Sequence, residues 1–321
     1  MDHSARVYDD ITELLPDEEN PSPLVRLNRL VPEGSQLWAK LEWMNPFGSV
    51  KDRAAWEMVR DLERRGELGP ARPGRGIVEP TSGNTGLSLT AIAGVRGYPM
   101  LAAVPSKVPA EKKVLLQVFG AKVEVVPDAL CPLPGSEDGT IGLAKTHAKA
   151  SAHRWVMPNQ YANPHNVEAH VRTTGPEIWR QTRGQVTHVF TSLGTCGTVM
   201  GLSKFLKGKN PAVKVIAVQP SPGHDVPGIR NVSELDVSQL YDPKLVDEVL
   251  EIDFELAYTV AAELARHEGL RAGPSSGLIF EGARRTARNG PVPCGVMIFC
   301  DDVFKYASNM LKHVPGLQAE P

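Results

Sequence analysis

Between residues 76 and 126, short apolar runs alternate without a break with segments of helical period. The pattern predicts a strand over Ile77 to Glu79, a helix over Thr85 to Arg96, a strand over Met100 to Val104, a helix over Ala110 to Phe119 and a strand over Lys122 to Val126. Consecutive strands joined by helices run parallel, and a parallel sheet needs helices on its faces. The same pattern restarts downstream, with a strand over Val186 to Thr191, a helix over Thr198 to Lys207 and a strand over Val213 to Val218. We therefore expect two three-layer α/β domains with mostly parallel twisted sheets, and a ligand site in the cleft between them. The smaller domain is placed at residues 43–156 and the larger at 1–42 with 157–321. A chain of 321 residues, 41% hydrophobic and 22% charged, is long enough to fill two such cores.

The remaining segments read less sharply. Residues 1–20 carry seven acidic side chains against Arg6 alone and are expected to be a solvated lead-in. Pro21 to Leu27 is extended by its prolines. Asp128 to Gly139 has no period, and Gly142 to His153 resumes as a helix. A stretch around Pro158 and Pro164 leads into a helix up to about Gln181. Pro220 to Gln239 is long and irregular, as loops over active sites often are. Helices follow over Phe254 to His267 and Ser276 to Arg288, with a last strand over Gly295 to Cys300.

Thirty-five basic residues against 37 acidic ones give a net charge of −2, so no basic field points to nucleic acid or to an anionic membrane. A small-molecule partner is expected. The four cysteines, Cys131, Cys196, Cys294 and Cys300, form no C-x-x-C pair and no zinc-ligand spacing with histidine, so neither a metal site nor a disulfide framework is expected. Free thiols suit a cytoplasmic protein. No apolar run reaches membrane-spanning length, and the first residues lack the basic and apolar regions of a signal peptide.

One lysine stands out by its setting. Leu37 to Glu42 alternates like a strand, Asn45-Pro46 and Gly48 break it, and Ser49 is placed to cap a helix that begins near Lys51. Ala54, Ala55, Met58, Val59 and Leu62 recur at helical spacing, and Gly66 supplies a stop. Lys51 thus falls in the first turn, where the positive end of the helix dipole disfavours an ammonium and makes the neutral amine or an imine accessible. Two glycine-rich turns also follow strands and open helices: Glu79-Pro80-Thr81-Ser82-Gly83-Asn84-Thr85-Gly86 and Ser192-Leu193-Gly194-Thr195-Cys196-Gly197-Thr198. Each presents backbone N–H groups and hydroxyls at a positive helix end, which makes an anion cup. Neither has the spacing of a nucleotide-phosphate loop.

Together with Asn45-Pro46-Phe47-Gly48-Ser49-Val50-Lys51-Asp52-Arg53, Thr173-Thr174-Gly175-Pro176-Glu177 and Gly273-Pro274-Ser275-Ser276-Gly277, these turns resemble the fold type II pyridoxal-phosphate enzymes, and among them the cysteine synthases, over roughly residues 20 to 310. The resemblance implies that Lys51 holds pyridoxal 5'-phosphate as an imine and is the catalytic base. It implies that Gly194, Thr195, Cys196, Gly197 and Thr198 hold the cofactor phosphate, that Asn84 meets the ring hydroxyl and that Ser275 meets the ring nitrogen. Thr81, Ser82, Gly83, Thr85 and Gln160 would receive the substrate carboxylate. A serine at the ring nitrogen does not hold it protonated, so elimination is favoured over transamination. The activity implied is L-cysteine formation by β-replacement on an activated serine through an aminoacrylate, in a cytoplasmic homodimer with no nucleic-acid or membrane partner.

The chain is most similar to the O-phosphoserine sulfhydrylase or cysteine synthase B type, and the loop Gly223 to Asn231 looks more like that of the O-phosphoserine-using cysteine synthases than the glycine-rich, apolar loop of the O-acetylserine enzymes. Arg230 is its distinctive residue, since a guanidinium binds a dianionic phosphate through paired bonds. Two departures from the family stand out. Cys196 replaces a glycine, which strains the turn if the position needs positive φ, and Cys300-Asp301-Asp302-Val303-Phe304-Lys305-Tyr306 differs from the usual small-residue segment on the ring-nitrogen side. His147, His153, His165 and His170 have no partner spacing and are expected to be surface or packing residues. Open alternatives are a dehydratase, a synthase using another β-nucleophile, as in the cystathionine and diaminopropionate synthases, and a catalytically idle binding subunit.

Overall fold

The computed structural model describes residues 7–127 and 139–318. The aperiodic stretch at 128–138, with Cys131, lies outside the described residues. In chain order the elements are β1 (Leu24–Arg26), β2 (Leu37–Leu41), α1 (Lys51–Arg64), β3 (Gly76–Pro80), α2 (Asn84–Arg96), β4 (Met100–Pro105), α3 (Ala110–Val118), β5 (Lys122–Val126), α4 (Thr140–Ala150) and β6 (Trp155–Val156). Then come α5 (Pro164–Ala169), α6 (Gly175–Gln181), β7 (His188–Ser192), α7 (Gly197–Lys209), β8 (Lys214–Pro220), β9 (Glu248–Ile252), α8 (Glu255–Glu263), α9 (Pro274–Asn289), β10 (Gly295–Phe299) and α10 (Ala307–His313). Single π turns at His170–Thr174 and Leu264–Glu268 join α5 to α6 and extend α8.

The strands form two sheets. One is wholly parallel, in the order β5-β4-β3-β6, with Ile77 level with Met100 on one side and Val156 on the other. The other runs β1-β2-β10-β7-β8-β9 and is parallel except for the antiparallel hairpin of β1 with β2. Both reverse their winding once. In the smaller sheet β4 and β5 add on one side of β3 and β6 on the other; in the larger, β8 and β9 add on one side of β7 and β10 on the other. At such reversals the connections diverge and leave a crevice beyond the carboxyl ends of the strands. The two anion-cup turns follow β3 and β7, which are the strands where each reversal occurs.

The core is correspondingly divided. Ala55, Val59 and Leu62 of α1 pack with Leu89 and Ile92 of α2 and with Ile77, Ala102 and Val104 of the smaller sheet. Leu37, Met297 and Phe299 pack with Tyr258, Leu278 and Phe280 under the larger sheet, and Val50, Ile178, Val189, Leu202 and Ile298 form a further cluster. The expected solvated lead-in is only partly so: Ile11–Leu14 is a 3-10 turn, and Leu15 is buried in the smaller core. β6 and β9 carry no alternation that marks them, because one is two residues long and the other is a mostly exposed edge strand in which Glu248 and Glu251 interrupt the apolar residues.

Candidate active site

Lys51 is the first residue of α1. Gly48, at φ +80°, turns the chain sharply into it, and Asn45 Nδ2 donates to the Ser49 carbonyl at 2.9 Å to hold that turn. Val50 rather than Ser49 is the terminal cap residue, yet the Lys51 N–H donates to Ser49 Oγ at 3.2 Å, so the serine hydroxyl still serves the helix end. Burial lifts Asp52 to a pKa of about 6, while its carboxylate accepts from the Phe47 N–H at 2.8 Å and from Ser88 Oγ at 2.5 Å. Among the described residues the Lys51 ammonium has no hydrogen-bond or ion-pair partner, and its side chain lines a cavity.

Two residues along α1, and so on the far side of the helix from Lys51, Arg53 anchors it from behind. Its guanidinium donates to Glu42 at 2.7 and 2.9 Å, to Glu177 at 2.5 and 2.9 Å and to Ser22 Oγ at 2.9 Å. Lys40 Nζ completes a buried quartet through Glu177 at 2.6 Å. Burial lowers Lys40 to about 8. Burial raises the Glu42 carboxyl, but the charge and hydrogen bonds of Arg53, with Lys40 and Asn45, together outweigh it and leave a pKa of about 2.

Beyond β3, Thr81 Oγ1 accepts from the Gly83 and Gly86 N–H groups at 3.1 and 2.9 Å and so closes the first turn. Thr85 Oγ1 donates to Gln160 Oε1 at 2.6 Å, and Gln160 Nε2 donates to the Pro80 carbonyl at 3.0 Å. The Asn159 and Gln160 N–H groups each donate to Glu79 at 2.9 Å. Burial raises Glu79 to about 7. Asn84 Nδ2 donates to Asp301 Oδ2 at 2.6 Å.

Beyond β7, Cys196 stands at φ +68°, so the position does need the left-handed conformation, at a cost of about 1–2 kcal/mol for a side chain. Burial raises its thiol to about 11, which keeps it protonated and unreactive at neutral pH. A Cβ at Gly197 would collide with Asn166, whose Nδ2 donates to Thr195 Oγ1 at 2.9 Å and to the Gln160 carbonyl at 2.8 Å. That asparagine couples the two turns. Thr198 Oγ1 lies 3.2 Å from His170 Nε2, and His170 Nδ1 lies 2.8 Å from Thr174 Oγ1. Burial drives His170 down to about 3, so it is a neutral packing residue, in line with the expectation for the histidines.

Of the expected site residues, Lys51, Thr81, Ser82, Gly83, Asn84, Thr85, Gln160, Gly194, Thr195, Cys196, Thr198, Arg230 and Ser275 line one cavity; Gly197, between Cys196 and Thr198, does not line it. Arg230 is only 3% exposed, and its backbone N–H donates to the Leu193 carbonyl at 2.7 Å. Sequence reasoning missed Lys112, Tyr161, Thr191 and Tyr306, which share the cavity. Tyr161 follows Gln160 directly, and Tyr306 lies in the segment already noted as unusual. Lys112, inside α3, carries no signal. Among the described residues three cations, Lys51, Lys112 and Arg230, face the cavity against one carboxylate, Asp301. With two helix N-terminal turns added, the site is built for a ligand of several negative charges.

A family model described as pyridoxal-phosphate dependent enzyme matches residues 15–301. The chain is 41% identical over 290 residues to cysteine synthase B of Salmonella typhimurium, covering 89% of this chain and 92% of that one. Among solved structures it superposes on O-ureido-L-serine synthase with a TM-score of 0.87 at 30% identity, over 97% of this chain and 98% of the other. It superposes on isoform 3 of O-acetyl serine sulfhydrylase from Entamoeba histolytica with a TM-score of 0.85 at 29% identity, over 98% and 94%.

Proposed function

The chain belongs to the pyridoxal-phosphate dependent enzymes, and from that premise we propose how its residues divide the work of a cysteine synthase. The activity is L-cysteine formation by β-replacement on an activated serine. The site fits the cofactor on its own terms. At Gly194 and Gly197 the turn has no room for a Cβ, which would press on the Gly228 carbonyl at 2.8 Å and on Asn166, so glycine is what keeps this strand-to-helix turn tight. Thr191 Oγ1 is buried on the cavity wall without a partner, and Lys51 Nζ is equally unpaired among the described residues. Bound pyridoxal phosphate would supply an electron sink for the bond-breaking at Cα and Cβ.

In our reading the N–H groups and hydroxyls of Gly194, Thr195, Cys196, Gly197 and Thr198 hold the cofactor phosphate, Asn84 donates to its ring oxygen and Ser275 faces its ring nitrogen. Thr81, Ser82, Gly83, Thr85 and Gln160 take the substrate carboxylate. Lys51 would hold the cofactor, and its amine, when free, would move the proton at the substrate Cα. These assignments divide the cleft between the smaller domain, 43–156, and the larger, 1–42 with 157–321. We also propose a cytoplasmic homodimer; a monomer in sedimentation velocity would contradict it.

The observation that carries the substrate choice is a buried guanidinium, Arg230, on the wall of a cavity that already holds two other cations. We propose that it binds the phosphate of O-phospho-L-serine, with O-acetyl-L-serine the poorer substrate. Losing that bond should cost about 2–3 kcal/mol, roughly a hundredfold in kcat/KM, on the phosphorylated substrate in Arg230→Ala and little on the acetylated one. Equal losses on both esters, or a wild type that prefers the acetyl ester, would reject the choice.

A further inference from the structure

The segment after β10 joins three turns that face the cavity. The Val50 N–H donates to the Cys300 carbonyl at 2.8 Å, and the Gly273 N–H donates to the Asp301 carbonyl at 3.1 Å. Lys305 Nζ donates to the Gly48 carbonyl at 2.7 Å and to Asn84 Oδ1 at 3.3 Å. Asp301, 1% exposed, takes Asn84 Nδ2 at 2.6 Å and the Tyr306 hydroxyl on the same oxygen, Oδ2. Its other oxygen, Oδ1, is buried without a partner, against Gly273, where no Cβ could be accommodated.

An asparagine amide can sit in two orientations that differ only by exchange of its oxygen and nitrogen. Here the exchange is blocked from both sides. A carboxylate can only accept and an ammonium can only donate, so a flipped amide would set oxygen against Asp301 and NH₂ against Lys305. The remaining Nδ2 hydrogen of Asn84 is thereby kept as a donor at the cavity wall.

We propose that Asp301 is a positioning residue that, opposed by Lys305, locks the Asn84 amide with an N–H toward the cofactor's ring oxygen. The inference rests on the cofactor assignment made above. A donor at that oxygen favours its ionised form, which sets the balance between the visible and near-ultraviolet bands of the bound cofactor. With the amide unlocked, its carbonyl can face the oxygen instead, and the balance moves toward the protonated, near-ultraviolet form.

The test uses the full chain loaded with pyridoxal 5'-phosphate, as wild type, Asp301→Ala, Asn84→Ala, the double variant, Asp301→Asn and Lys305→Met. Absorbance gives the band ratio, titration of the stripped protein gives cofactor affinity, and steady-state kinetics separates kcat from KM. Asp301→Ala should move the band ratio in the same direction as Asn84→Ala, weaken cofactor retention about tenfold and lower kcat about thirtyfold with KM within about threefold. In the Asn84→Ala background the same substitution should change each readout by less than about twofold, because Asp301 acts through that amide. Asp301→Asn, whose carbonyl still accepts both donors, should recover most of the band ratio. An unchanged ratio in Asp301→Ala, or an equal loss in both backgrounds, overturns the proposal. If Asp301→Ala does not fold, Lys305→Met removes the opposite restraint on the same amide, and an unchanged ratio there is equally fatal. A loaded protein without any cofactor band would refute the cofactor assignment instead.

Discussion

Glu177→Gln is the substitution whose consequences the structure specifies most closely. In the wild type two buried cations, Lys40 and Arg53, face two buried carboxylates, Glu42 and Glu177, with all four side chains fully sheltered. Removing one carboxylate leaves two positive charges against one, and the new amide must turn its NH₂ toward at least one of the donors now served by Glu177. An uncompensated buried charge of this kind costs about 3–5 kcal/mol. The penalty should depend on pH. Burial holds the folded pKa of Lys40 near 8, below its ordinary 10.5, so between these values the unfolded chain binds more protons than the native one. Wild-type stability from this group therefore rises with pH across that window and is lost as pH falls through about 8. Without Glu177 the lysine sheds its proton at lower pH, which leaves Arg53 and Glu42 as a balanced pair. The penalty should shrink by about 1–2 kcal/mol between roughly pH 6.5 and pH 9. Adding Lys40→Met removes the stranded ammonium outright, so the double variant should be more stable than Glu177→Gln alone by at least about 1 kcal/mol near pH 6.5. Urea midpoints with constant slopes measure all of these. Equal penalties at both pH values, or additive single effects, would refute the reasoning.

His170 should make the protein acid-labile in a defined window. Its folded pKa of about 3 against an ordinary 6.5 means that stability is lost as pH falls from 6.5 toward 3, by up to roughly 4–5 kcal/mol. Urea midpoints between about pH 4 and pH 7 should be flatter in His170→Gln, and parallel curves for the two proteins would count against this. Gly194→Ala would press a methyl on the Gly228 carbonyl, 2.8 Å away, and displace the loop that carries Arg230. The ratio of kcat/KM for O-phosphoserine to that for O-acetylserine should fall by about tenfold, and an unchanged ratio would show that the loop yields without moving the guanidinium.

What the sequence disclosed follows from how local each signal is. The β3-α2-β4-α3-β5 alternation was legible to within a residue or two, because β3 and β4 are short, largely apolar runs, β5 is rich in valine, and a glycine follows each helix. Lys51 and the two turns were legible for the same reason: glycine, threonine and proline at strand ends mark turns by their backbone chemistry. The partners of those turns were not. Asp301 reaches Asn84 across 217 positions and Arg53 reaches Glu177 across 124, and nothing in the local pattern of either pair announces the other. The positive φ of Cys196 was posed as a condition and became a fact only with the turn in place. β9 was hidden because an edge strand in water needs no apolar alternation.

The two winding reversals also account for the two separate anion cups proposed above. At each reversal a helix N-terminus opens on the cleft, one carrying Thr81 to Thr85 and the other Gly194 to Thr198, so the fold provides two anion cups before any charged side chain is added. Lys51 enters from α1, which packs on the smaller sheet but is held through Arg53 to Glu177 of α6. The lysine is thus fixed relative to both cups, which a reaction that passes one proton to and fro at a bound carbon requires. Lys112 and Arg230 then add charge from α3 and from the loop beyond β8. A buried ammonium needs compensation, and Lys112 lies 4.3 Å from the centre of the Tyr306 ring, whose hydroxyl donates to Asp301. Asp301 therefore serves the Asn84 amide and the Tyr306 hydroxyl at once, and its removal should be felt at the cofactor rather than at the substrate phosphate.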